Sequence, residues 1–302
     1  MGSAAPATEV GLNRVLLATD FSEVSEKALH HAVVVARHYG AKLYLAHVVS
    51  SVGFTLAGAD AIARAEDATW RDLRRLENRL VETGALAGVP HEAVVREGEV
   101  WEQLEQVIEQ EDIDLIVVGT HGRTGLRKIV LGSVAESVFR HSSCPVLTVG
   151  PCAPSEPPPN GTLRHILYPT DLSPDSAQAA PYALSAATKH GARLTVLHVF
   201  DPLSTETAED RERLISALEA RLREFLPPGP SVPYNLNFRV EMGPTEDTIL
   251  EIARQLSADV IVLGLRAPST FVDHLVWLSA YRIVCEARCP VLTVRARKRP
   301  QL

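Results

Sequence analysis

Six consecutive residues, Cys144-Pro-Val-Leu-Thr-Val149, recur letter for letter as Cys289-Pro-Val-Leu-Thr-Val294. A long-period repeat of this kind restricts the chain to two copies of one architecture. The match extends toward the N-terminus: Arg14 to Val49 aligns without gaps on His165 to Phe200. Thr19, Asp20, Ser22, Gly40, His47 and Val48 return there as Thr170, Asp171, Ser173, Gly191, His198 and Val199. From Gly98 the first copy aligns equally well on Gly243 onward. A length of 302 residues is that of two ordinary domains. The expected division is 1–150 and 163–302, separated by a spacer at 151–162 whose run PCAPSEPPPNG can continue neither flanking strand.

Within the first copy, short apolar runs rich in β-branched residues alternate with longer helical patterns. Strands are expected at Arg14 to Thr19, Lys42 to Val49, Glu92 to Arg96, Asp114 to Val118 and Pro145 to Val149. Helices are expected at about Val24 to Tyr39, closed by Gly40, and at Ala59 to Glu82, Val100 to Glu109 and Ser133 to Arg140. This alternation predicts a parallel sheet covered by helices on both faces, once per copy.

The chemistry concentrates in Gly119 to Val134, GTHGRTGLRKIVLGSV, which follows the fourth strand. Gly119 and Gly122 allow a sharp turn and a close backbone approach to a ligand. Gly132 precedes Ser133 at a helix start, where unpaired amides and the positive dipole end favour phosphate. There is no G-x-x-x-x-G-K-[ST], and no G-x-G-x-x-G follows a first strand. By themselves, glycines after a strand serve a turn as readily as a ligand.

The spacing G-x-x-G, nine residues, Gly-Ser resembles the ATP-binding motif of the universal stress protein family, at Gly119, Gly122, Gly132 and Ser133. The resemblance covers both copies. It implies two tandem open five-stranded parallel sheets of order 3-2-1-4-5, with helices on both faces, of the adenine-nucleotide alpha-hydrolase-like type. Ligands in such sheets bind where the winding reverses, here between the ends of strands one and four. Carried over position by position, the nucleotide contacts fall on Ala18, Asp20, Val48, Val118, Gly119, Gly122, Gly132, Ser133 and Val134. Arg123, Arg127 and Lys128 could add charge, although exposed basic residues in a loop also serve solvation alone. Ala18 departs from the proline often found at its position. The implied cofactor is ATP, with any Mg²⁺ arriving on its phosphates. The family's pairing through the last strand further implies pairing of the two copies within one chain, with a homodimer of chains open.

In the second copy Gly122 becomes Ala267, Gly132 becomes Trp277 and Ser133 becomes Leu278 at unchanged spacing. Bulk at the phosphate approach and the loss of a helix-start hydroxyl predict that this copy binds no ATP in the same manner. The functional expectation is a cytoplasmic, nucleotide-dependent stress-response regulator with at most slow hydrolysis. An ATPase or nucleotidyl transferase using Asp20 and His121, or a scaffold without nucleotide, are the alternatives.

Other features narrow the field. With 30 Lys and Arg against 37 Asp and Glu, the formal charge of −7 argues against a surface built for nucleic acid. No long apolar run suggests a membrane span. Cys144, Cys152, Cys285 and Cys289 form neither a disulfide framework nor a metal motif. His30 and His31 lie in a helix with no partner at ligand spacing, so no metal site is expected. His47 and His198 are read as histidines satisfied by a backbone group, and Trp70 and Trp101 as packing residues.

Overall fold

A computed structural model of the chain describes residues 10–50, 59–120, 132–200, 208–226, 235–265 and 273–295. These divide into two compact units, one from Gly11 to Gly161, the other from Thr162 onward together with Val10.

In the first unit the strands are β1 (Arg14–Ala18), β2 (Lys42–Ser50), β3 (His91–Gly98), β4 (Leu115–Gly119) and β5 (Val146–Val149). They alternate with α1 (Glu23–Tyr39), α2 (Ala59–Glu82), α3 (Val100–Gln110) and α4 (Ser133–His141). The strands pair in the order β3-β2-β1-β4-β5, all parallel. This is the 3-2-1-4-5 order that the family resemblance implied, and the elements start and end within two residues of their expected bounds.

The second unit repeats it with β6 (His165–Pro169), β7 (Arg193–Phe200), β8 (Leu236–Met242), β9 (Val260–Leu265) and β10 (Val291–Arg295). Its described helices are α5 (Pro174–Ala177), α6 (Ala180–His190), α7 (Ala208–Phe225), α8 (Thr245–Gln255) and α9 (Asp273–Glu286). The parallel pairing runs β8-β7-β6-β9-β10.

Strands covered on both faces carry apolar side chains in succession rather than in alternation. Val15, Leu16 and Leu17 of β1 are fully buried, as are Ile166, Leu167 and Tyr168 of β6. The path β1-α1-β2 and the path β3-α3-β4 cross the sheet in opposite directions. Right-handed crossovers therefore put α1 and α3 on opposite faces.

Local signals set the helix ends. Ser22 caps α1 by accepting the Ser25 amide at 3.2 Å. Gly40, in the left-handed region at φ 67°, ends it with its N–H on the Ala36 and Arg37 carbonyls. Gly191 does the same for α6 at φ 63°.

The copies differ at one helix. Where α1 runs unbroken, the second unit has α5 and α6 with a turn at Gln178 and Ala179. The cause is Pro181, the counterpart of His30: it has no N–H to give the Ala177 carbonyl, and its ring crowds that carbonyl.

Two glycines at matched positions hold the helix layer against the sheet. A Cβ on Gly264 would lie 2.5 Å from the Ser176 Cα and 2.6 Å from its carbonyl oxygen. A Cβ on Gly119 would lie 2.9 Å from the Val24 carbonyl carbon and oxygen. The obstruction is backbone in both cases and cannot swing aside. Gly264→Ala is therefore expected to cost about 1–3 kcal/mol, the usual range for overpacking. Urea unfolding of the full chain, followed by a probe in the second unit, measures the loss.

Candidate functional site

The ends of β1 and β4 lie side by side, with Ala18 in register with Val118. The turn that leaves β1 is built by its own side chains. Thr19 Oγ1 accepts the Phe21 amide at 3.1 Å, and Asp20 Oδ1 accepts the Ser22 amide at 3.0 Å. Ser25 Oγ, buried beneath, donates to Thr19 Oγ1 at 2.8 Å. These bonds hold Phe21 at φ 60°, a left-handed conformation that costs a residue with a Cβ about 1–2 kcal/mol in isolation. Asp20 thereby emerges at the head of α1.

The second unit reproduces the turn. Leu172 N–H meets Thr170 Oγ1 at 3.0 Å, Ser173 N–H meets Asp171 Oδ1 at 3.0 Å, and Leu172 sits at φ 61°. Thr170 Oγ1 and Ser176 Oγ are 2.8 Å apart. The aspartate in both copies thus has a structural employment as a turn former. Ser25 and Ser176 were not singled out in the sequence, although their identity at the same register in both copies was the available signal.

His47 and His198 are each accounted for by a backbone group, as expected. Their Nδ1 atoms lie 2.7 and 2.8 Å from the carbonyls of Thr19 and Thr170. A carbonyl only accepts, so Nδ1 carries the proton and each imidazole braces its turn. The Phe21 ring rests on His47 with centroids 4.9 Å apart.

A hollow of about 300 Å³ opens between α1 and α2 beside this turn, lined by Thr19, Phe21, Leu29 and Leu76 among others. The Arg79–Glu26 ion pair, 2.7 Å, stands at its rim. Asp20 does not line it.

Val48 is half-buried late in β2, in register with Arg96. Val118 is buried, and Gly119 closes β4 in register with Val149. The glycine at 119 has a packing reason independent of any ligand, because the head of α1 occupies the space of a side chain. Its retention as Gly264 follows from the same contact.

Gly132 is the N-cap of α4, with extended backbone and no side chain to cap the first turn. Its N–H donates to the Thr120 carbonyl, and its own carbonyl accepts the Glu136 amide at 2.8 Å. The Gly132 amide, read from sequence as a phosphate donor, is thus committed to the backbone. The helix-start donors are instead the amides of Ser133, Val134 and Ala135, which have no intrahelical partner. Gly122 and Arg123 lie outside the described residues, as do His121, Arg127, Lys128 and Ala267. The Ser133 side chain is likewise outside the description.

The equivalent helix of the second unit begins elsewhere. Leu278, the counterpart of Ser133, is the sixth residue of α9, which runs 14 residues against nine in α4. Trp277 and Leu278 therefore sit inside a helix, and the expectation that Leu278 stands at its start is corrected. Amides at such positions bond to the carbonyl four residues back and face no ligand.

The remaining candidates are quickly placed. Trp70 is 38% exposed rather than packed, while the Trp101 ring lies against His141 at 5.7 Å. Cys285 and Cys289 are buried, and desolvation pushes both thiols up to about 12, which leaves them unreactive at neutral pH. Among the described residues no cluster of His, Cys, Asp or Glu could hold a metal ion, and no helix is long and apolar enough to cross a membrane.

The model of the universal stress protein family matches residues 11–150 and 162–295. The chain belongs to the universal stress protein family. A universal stress protein of Mycolicibacterium smegmatis is 25% identical over 302 residues, covering 96% of this chain and 99% of its own. One from Methanocaldococcus jannaschii is 33% identical over 147 residues, covering 45% of this chain and 81% of its own. The crystal structure of a universal stress protein from Archaeoglobus fulgidus shares the fold with a TM-score of 0.69. It is 20% identical, covering 94% of this chain and 98% of that one. This universal stress protein is therefore a tandem form whose two domains share the family fold and differ where the glycine motif meets the fourth helix.

Ser22 and Ser173 cap the helices that follow the two matched turns, accepting the Ser25 and Ser176 amides at 3.2 and 3.1 Å. Ser22→Ala and Ser173→Ala should each cost about 1 kcal/mol. Parallel urea titrations of the two variants check that the turns are equivalent in energy as well as geometry.

Proposed function

We propose that the first domain, 1–150, binds one adenine nucleotide at the ends of β1 and β4, and that the second domain, 163–302, binds none in this way. The observation that carries this reading is the placement of the fourth helix. In the first domain α4 opens at Ser133 behind a glycine cap, and its first-turn amides have no partner within the helix. In the second, α9 has already begun, and the matched positions are helix interior.

A phosphate suits that opening. Amides without partners and the positive end of the helix dipole favour an anion, and Gly132 places no side chain in its way. Ser133 and Val134 supply such donors, with Gly122 and Arg123 as proposed contributors from the same motif. Asp20 would accept from sugar or base groups, and Val48, Val118 and Ala18 would form the apolar side. ATP is the proposed nucleotide, with Mg²⁺ neutralising its phosphates. Pairing of the two copies within one chain belongs to the same reading and rests on the duplication.

The proposed role is a cytoplasmic regulator that reports nucleotide occupancy during stress. Efficient hydrolysis needs a positioned group to orient or deprotonate water. Among the described histidines, His47 stands beside this turn and already spends Nδ1 on a carbonyl.

ATP with Mg²⁺ at a hundred times its dissociation constant should stabilise the folded chain by about 2.7 kcal/mol. Calorimetric titration should give one nucleotide per chain, and Gly132→Trp should abolish both effects. Two equivalent sites, or protection undiminished in the variant, would refute the proposal. Single-turnover hydrolysis at ordinary enzyme rates, lost in Gly132→Trp, would replace the regulator by an ATPase.

A further inference from the structure

The segment Pro151–Gly161 is more than a spacer. Five of its eleven residues are proline, so it carries many carbonyl acceptors and few N–H donors of its own. Such a segment packs against a protein surface only where that surface supplies donors. The face of α1 supplies three: Lys27 Nζ lies 3.3 Å from the Pro151 carbonyl, His31 Nε2 lies 3.2 Å from that of Pro154, and His30 Nδ1 lies 3.2 Å from that of Ser155. Ala153 is 4% exposed beneath the segment. At its far end Gly161 is so close to Val34 that a Cβ would fall 2.3 Å from the Val34 Cγ1.

The duplication provides an internal control. The counterparts of Lys27, His30 and His31 in the second copy are Gln178, Pro181 and Tyr182. The basic donors exist only in the copy whose helix carries the segment, so their role belongs to the segment and not to the fold.

We propose that Pro151–Gly161 is a latch on α1 that acid opens, with His31 as the sensing group. Its carbonyl partner fixes the proton of neutral His31 on Nε2, so acidification adds the second proton at Nδ1, inside a contact where the residue is 5% exposed. Burial is the main cause that pushes this imidazole below the ordinary histidine range, and neighbouring His30 adds to it. The Pro154 carbonyl and Glu156 act the other way. The charged groups on the latch side are Lys27, His30 and Glu156. Under the helix, β4 and β5 read LIVVG and VLTV and carry no titratable side chain. In β1 the one charged residue, Arg14, is at the far end and tied to Asp112 at 3.0 Å, and in β2 Lys42, Tyr44 and His47 are engaged by Glu92, Glu111 and the Thr19 carbonyl. His30 Nδ1 and Glu156 lie 3.6 Å apart with the carboxylate largely in solvent, so that pair is worth little.

The sign follows from linkage. A depressed pKa in the docked state means that docking is fully favoured above the ordinary value of 6.5 and weakens as pH falls from there toward the docked value.

Hydrogen exchange on the full chain tests the latch, with peptides covering 150–161 compared at about pH 7.5 and about pH 5.5 after correction for intrinsic rates. The native chain should open severalfold more at the lower pH, because the undocked imidazole takes up its proton before the docked one does. His31→Gln keeps a neutral donor and should hold the segment equally at both. Unchanged protection in the native chain, or a pH response that survives in His31→Gln, overturns the proposal. If His31→Gln already frees the segment at neutral pH, the carbon NMR titration of His31 in the native chain decides. A midpoint below 6.5 supports the latch, and one at or above 6.5 overturns it.

Discussion

The approach of one backbone to another at the end of β4 is the constraint on which the rest of each domain depends. At Gly119 the head of α1, and at Gly264 the head of α5, come so near the strand that no side chain fits between them. Where the winding of an open sheet reverses, a crevice opens at the strand ends. The helix that follows β1 must be seated against β4 for that crevice to have a defined floor. The threonine, aspartate and serine of the turn fix the angle at which the chain enters the helix, and His47 or His198 braces the carbonyl beneath. Both copies keep all of these parts, so the turn and its glycine belong to the architecture before they belong to any ligand.

The copies part company one element later and on the opposite side of the crevice. A glycine that ends the helix at 132 leaves the first-turn amides of α4 without a partner inside the helix, whereas tryptophan and leucine at the matched positions are absorbed into α9. Substitution of the glycine removes the break, and the helix then starts earlier. Divergence therefore acts on the proposed phosphate end through helix length as well as through side-chain bulk. The outer face of α1 shows a second divergence: histidines and a lysine hold the proline-rich segment in the first copy, and a proline splits the corresponding helix in the second.

Much of this was legible in the sequence because its causes are local or repeated. The parallel, doubly covered sheet followed from alternating strand and helix patterns, and its 3-2-1-4-5 order from the family resemblance. The bounds of α2 were read to the residue, and α1 nearly so, because Ser22 and Gly40 are strong end signals. The satisfied state of His47 was legible because its twin recurs at a position where the chain offers a carbonyl. Trp70 was misread as packed: amphipathic periodicity marks a face, but not whether the rim of that face is covered.

What the sequence alone determined is the pair of copies, the parallel strand-and-helix alternation within each and the stretch where the copies cease to match, since these depend on pattern, spacing and identity, while the strand order came with the family resemblance that the glycine spacing carries. Tertiary structure alone decided three things. Gly119 is required by the backbone of Val24, the Gly132 amide is spent on Thr120, and the prolines after β5 are held by donors more than a hundred residues earlier in the chain. Each is a contact between segments distant in sequence, and nothing in the local pattern of either partner records which surface the other will meet.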